Sequence, residues 1–146
     1  MPNAPFPHVY QATLEGNMLL AGTRTPVLTG APSQFGGTDD VWSPEQLLVA
    51  AALTCLKTTF DAYARHAGIS VIDWRGTGTG VLVKGHTGPF FDSIDLDVEV
   101  VTGSGEEARA QALLAKAERD CIISRALSAP VHVRSKVSPA PDRAAS

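Results

Sequence analysis

The chain has 146 residues, 44% hydrophobic and 18% charged, a composition that suits one ordinary globular core without disulfides or a structural metal. A net charge of −3 and a pI near 5.7, with no basic run, give no ground for nucleic acid or an anionic membrane as partner. The opening MPNAPFPHVY lacks the charged and apolar segments of a signal peptide, so the expected location is cytoplasmic.

Residues 1–8 carry three prolines and read as an extended arm. Val9–Leu14 and Met18–Ala21 flank the turn cluster Glu15-Gly16-Asn17, which predicts a hairpin, and a third short strand is expected at Val27-Leu28. The polar loop QFGGTDDV, residues 34–41, then delivers the chain to Ser43. From Ser43 to Gly68 a long helix is expected. Ser43 suits the N-cap, Pro44 the first helical position and Gln46 a capping box, while Gly68 suits a left-handed close. Apolar residues occupy most of its circumference, with Cys55 on a face of small residues, so burial on more than one side is expected. Lys57, Asp61 and Arg65 argue against a membrane span.

Val71–Trp74 and Val81–Val83 read as strands separated by GTGTG at 76–80. No helix N-terminus follows that could hold a pyrophosphate, so the glycines are expected at a bulge or a close backbone approach. Phe91–Val101 alternates as a strand with a solvated acidic face. Ser104-Gly105-Glu106-Glu107 reads as a second capping box, opening a helix to about Arg119 whose apolar face continues to Cys121. A short helix over 122–127 and a strand over 130–137 follow, and residues 138–146 read as a disordered tail. This order predicts a single α+β domain with a mainly antiparallel sheet.

The two cysteines, 66 residues apart in sequence, are expected to be reduced thiols at rest. They are too few for a cysteine-rich zinc site, and His8, His66, His86 and His132 do not fall at metal-ligand spacings to them. If their helices pack face to face, the sulfurs form a redox dithiol; otherwise they are two small buried hydrophobes.

The stretch WSPEQLL followed by AAALTCLKT, the second site CIISRAL followed by APVHV, and the QFGG loop resemble the OsmC/Ohr family of small thiol-dependent peroxidases. The resemblance runs from about Tyr10 to Val137. It implies an OsmC-like fold in which antiparallel sheets wrap long central helices in an intertwined homodimer. It also implies reduction of organic hydroperoxides, and in some members hydrogen peroxide, with no flavin, haem or metal cofactor. On that likeness Cys55 attacks the peroxide, Cys121 resolves the sulfenic acid as an intrachain disulfide, and a lipoyl-type dithiol restores both.

A thiol buried among apolar residues is inert, so the resemblance also implies a cation beside Cys55. In the family an arginine held by a glutamate serves, and the glutamate matches Glu45. Ten helical residues, about 15 Å, separate Glu45 from Cys55. Glu45 would therefore act on the Cys55 of a second subunit or through a long intervening side chain; its other reading is a carboxylate at the positive helix end. The family's hairpin arginine has no counterpart in Gly16–Leu20, which leaves Arg24 and Arg125 as candidate cations, each with solvation as its alternative. Phe35, Trp42, Phe90 and Phe91 are candidates to line an apolar pocket. The rival function is a non-catalytic OsmC-like protein that binds a small apolar ligand or electrophile at the dimer interface.

Overall fold

The computed structural model describes residues 4–141. In chain order its elements are β1 (Thr13–Glu15), β2 (Met18–Leu20), β3 (Val27–Leu28), a 3-10 turn (Ser33–Phe35), α1 (Pro44–Ala67), β4 (Val71–Gly85), β5 (Gly88–Thr102), α2 (Glu107–Asp120), α3 (Ile122–Ala126) and β6 (Val131–Pro139). Together they make an α+β fold. The chain divides into two compact units, Met1–Leu47 and Leu48–Ser146.

In the first unit β1, β2 and β3 form an antiparallel sheet, with Glu15 opposite Met18 and Leu19 opposite Val27. The hairpin is shorter than the sequence suggests: Val9 and Tyr10 are exposed and unpaired, and pairing starts at Thr13. Residues 4–8 of the expected arm form no helix or strand; residues 1–3 lie outside the described part. The loop after β3 is closed by backbone bonds from Gly30 N–H to the Trp42 carbonyl and from Trp42 N–H to the Leu28 carbonyl. This brings the chain to Ser43 ready to start α1.

Both ends of α1 form as expected. The Ser43 N–H donates to Gln46 Oε1 and the Gln46 N–H to Ser43 Oγ, each at 3.1 Å, which completes the capping box. At the other end Gly68 takes a φ of +72°, and the Ile69 N–H reaches back to the Ala64 carbonyl at 2.9 Å. By length and apolar content α1 could cross a membrane, in spite of its charges. Within the second unit its apolar stripe is otherwise used: Ala52, Leu56, Phe60 and Ala64 are buried in one core with Ile94, Leu96, Val98 and Val100 of β5. The remaining faces are half-buried or exposed, so the expected burial on several sides does not occur among the described residues of one chain.

The GTGTG string lies inside one strand, not between two. β4 pairs with β5 continuously past Gly76, Gly78 and Gly80, with irregularities only near Val71 and Val81. The period of two puts all three glycines on the side facing α1. A Cβ at Gly78 would stand 2.7 Å from Val49 Cγ1, and one at Gly76 2.9 Å from Leu53 Cδ1. Close approach of strand to helix is the reason for the glycines.

The pairing is mainly antiparallel, as expected: in the sheet β4-β5-β6, β4 and β5 are antiparallel, and only β5 and β6 are parallel, joined by the crossover through α2 and α3 that parallel pairing requires. Two further expectations need correction. The capping box at Ser104 does not form. α2 starts at Glu107 after Glu106, and the Glu106 carboxylate instead accepts the Ser70 N–H at 2.9 Å. Finally, β6 runs to Pro139, where the ladder with Thr102 holds the first residues of the expected tail; residues 142–146 lie outside the described part.

Candidate functional site

The site grows from one stripe of α1 and one corner of the chain. Cys55, Thr59 and Tyr63 recur every four residues and therefore stack along one side of the helix. Facing them is the junction of α2 and α3, where Cys121 closes one helix and opens the next with φ −61° and ψ 113°. The Arg125 N–H returns to the Cys121 carbonyl at 3.0 Å, which fixes the first turn of α3. Both cysteines are free thiols; Cys55 is half-buried, whereas Cys121 is only 1% exposed.

The fold brings the two sulfurs together, and it treats them in opposite ways. Burial pushes the Cys55 thiol up, but the backbone N–H of Ile123, the Cys121 thiol, the Thr59 hydroxyl and the backbone N–H of Ile122 together outweigh it. The net result lies below the ordinary thiol range. Thr59 Oγ1 stands 3.9 Å from the Cys55 sulfur. For Cys121 burial again pushes up, the Ser124 hydroxyl donating at 3.3 Å pulls down, and the neighbouring Cys55 pushes up; here the net result is raised. Cys55 is thus the sulfur that ionises first, and Cys121 holds its proton beside it.

None of the other sequence candidates contributes to the shift of either thiol. Glu45 lies in the first turn of α1, and its Oε2 is buried with no hydrogen-bond partner among the described residues. Arg24 is exposed in the turn after β2, and Arg125 is exposed near the end of α3. Among the described residues neither forms an ion pair, and no cation contributes to lowering Cys55. Nor do three His, Cys, Asp or Glu side chains converge among the described residues as metal ligands would. A cavity of about 270 Å³ is lined by Leu48, Phe90, Phe91, Ile94, Leu127 and Pro130. Leu48 precedes Cys55 by seven residues, two turns, and so lies on the same side of α1. Phe35 and Trp42, in the other unit, are exposed.

Residue types alone do not reveal all of these groups. Thr59 and Ser124 have a visible signal, since each lies within one helical turn of its cysteine. The amides of Ile122 and Ile123 have none, because every non-proline residue carries the same donor.

Several solved structures share the fold. An OsmC-like protein of unknown function from Vibrio cholerae matches with a TM-score of 0.74 at 17% identity, covering 82% of each chain. An organic hydroperoxide resistance protein from Elizabethkingia anophelis matches at 0.70 and 20% identity over 96% of this chain and 100% of its own. An organic hydroperoxide resistance protein OsmC from Legionella pneumophila matches at 0.63 and 22% identity over 95% and 100%. At these identities the likeness establishes the fold alone. No functionally curated protein matches. The OsmC family model, described as OsmC-like protein, matches residues 37–136, most of the chain and both cysteines; the protein belongs to the OsmC-like family.

Proposed function

We propose that the protein is a cytoplasmic thiol-dependent peroxidase that reduces organic hydroperoxides, acting as a single-domain subunit of a homodimer. The observation that carries this reading is the pairing of a thiol lowered by hydrogen-bond donors with a raised, buried thiol beside it. The Cys55 thiolate attacks the outer peroxide oxygen; the O–O bond breaks, the alcohol leaves as alkoxide and takes up a proton, and Cys55 becomes a sulfenic acid. Cys121 then attacks the Cys55 sulfur, forming the disulfide and expelling water. A small dithiol, of lipoyl type by family likeness, returns two electrons and two protons by exchange.

Glu45 has a part in this reading although it is distant from Cys55 along α1. Its buried, unpartnered oxygen supports a role in holding a cation at the site of a second subunit. Arg24 and Arg125 are the candidates for that cation. Hydroperoxide consumption by the full chain with a dithiol reductant tests the proposal, with Cys55→Ser as control. No consumption of any organic hydroperoxide or of hydrogen peroxide by the unsubstituted protein would overturn it.

The absence of a cation among the groups lowering Cys55 favours a second reading, a non-catalytic protein that binds a small apolar ligand or electrophile. The two part on the pH dependence of Cys55 alkylation. A midpoint below the free-thiol value of about 8.5 supports the peroxidase, and a higher one the binder.

A further inference from the structure

Tyr63 lies two turns past Cys55 on the stripe that carries Thr59, and it engages the element that bears the second thiol. Its hydroxyl donates to the Asp120 carboxylate, and the Lys116 ammonium stands 4.4 Å from the centre of its ring. Lys116 and Asp120 are one turn apart on α2, so one face of that helix holds the phenol by both its ring and its hydroxyl. Asp120 is the last residue of α2 and directly precedes Cys121, the residue at which the chain turns. A carboxylate there meets the negative end of the helix, where a cation is favoured, so helix stability does not account for it. The bond to Tyr63 does. Among the described residues the other side-chain hydrogen bond from α2 to α1 is Arg109 to the Ala67 carbonyl, at the opposite end of α2. α2 is thus tied to α1 at both ends, and the tie beside Cys121 is the phenol.

We propose that Tyr63 is a positioning residue: through Asp120 it fixes where Cys121 stands relative to Cys55, and so sets how readily the two sulfurs join. The role rests on the peroxidase reading for its use in turnover, but the joining of the thiols is measurable by itself. Asp120 also raises the Tyr63 pKa, first through the hydrogen bond, which keeps the phenol a donor while the thiols titrate.

The test equilibrates the full chain with reduced and oxidised dithiothreitol and quantifies the Cys55–Cys121 disulfide by mass spectrometry. Tyr63→Phe and Asp120→Ala should each lower the effective concentration of the thiol pair by about tenfold, and the double variant should lower it no further than either single one. After one equivalent of hydroperoxide, disulfide formation should slow in both variants while sulfenic acid formation at Cys55 keeps its rate. Asp120→Ala, which removes the acceptor from the other side of the bond, covers the case in which Tyr63→Phe folds poorly. A folded Tyr63→Phe or Asp120→Ala protein with the equilibrium of the unsubstituted chain would overturn the role. If the unsubstituted protein forms no such disulfide, the peroxidase cycle fails and this role with it.

Discussion

Cys55 and Cys121 are the same residue in two kinds of surroundings. Cys55 sits inside a continuous helix whose backbone bonds are satisfied, so its environment is made by what approaches from outside: two amides, a hydroxyl and a thiol. Cys121 sits at a break between helices, almost fully enclosed, with only the hydroxyl and the amide of Ser124 to offset burial. Burial raises both. The donors aimed at each sulfur set the direction of its shift, and no charge within the described chain is needed for the difference in sign.

The largest effect expected from this contrast is on turnover. Cys55→Ser should abolish peroxide consumption, whereas Cys121→Ser should consume about one equivalent and stop, leaving a sulfenic or overoxidised Cys55 visible by mass spectrometry. Next comes the platform that holds Cys55 in place. Gly78→Val would drive a side chain into Val49 and Leu96 and should cost about 1–3 kcal/mol in denaturant unfolding, with smaller loss for Gly78→Ala. Either change leaving stability intact would mean that α1 does not bear on β4 as described.

The pH dependence tests the contrast directly. The thiolate is the reactive form, so Cys55 alkylation should rise through a midpoint below about 8.5 and Cys121 alkylation through one above it, which makes Cys55 the first site labelled near neutrality. Folding stability should follow with opposite signs. The lowered Cys55 contributes stability above the unfolded-state pKa, lost as pH falls through its folded value. The raised Cys121 contributes stability below the unfolded-state pKa, lost as pH rises through its folded value. Equal midpoints for the two thiols would remove the basis for their separate roles. The smallest effect is Thr59→Val, which deletes one of four donors and should raise the Cys55 midpoint slightly, changing its alkylation rate at neutral pH by less than about tenfold.

What the sequence discloses depends on how local the cause is. The caps of α1 are legible because Ser43, Gln46 and Gly68 act within a few residues of themselves. Ser104 carries an equally good local signal and misleads: α2 begins only at Glu107, with Glu106 preceding it and held by the Ser70 amide, far away in sequence. The glycines of β4 are legible as a close approach, but not as one unbroken strand, since the partner they make room for is Val49 and Leu53. Parallel pairing of β6 is hidden because alternation reads the same in either direction. At the site, the juxtaposition of Cys55 and Cys121 is one of two readings from spacing, and the resemblance favours it. The amides that lower Cys55 are backbone groups brought in by a turn, which no residue type encodes.

The separation of the cysteines by 66 positions carries one more consequence. A bond closed across a segment of that length removes many arrangements from the unfolded chain, worth up to about 4 kcal/mol if the native geometry is unstrained. In the proposed cycle the oxidised form should therefore melt at a higher temperature than the dithiol form, and calorimetry of the two would detect it. Under peroxide stress the protein would gain thermal resistance as it is consumed as a reductant, and give it back when the dithiol reaches it.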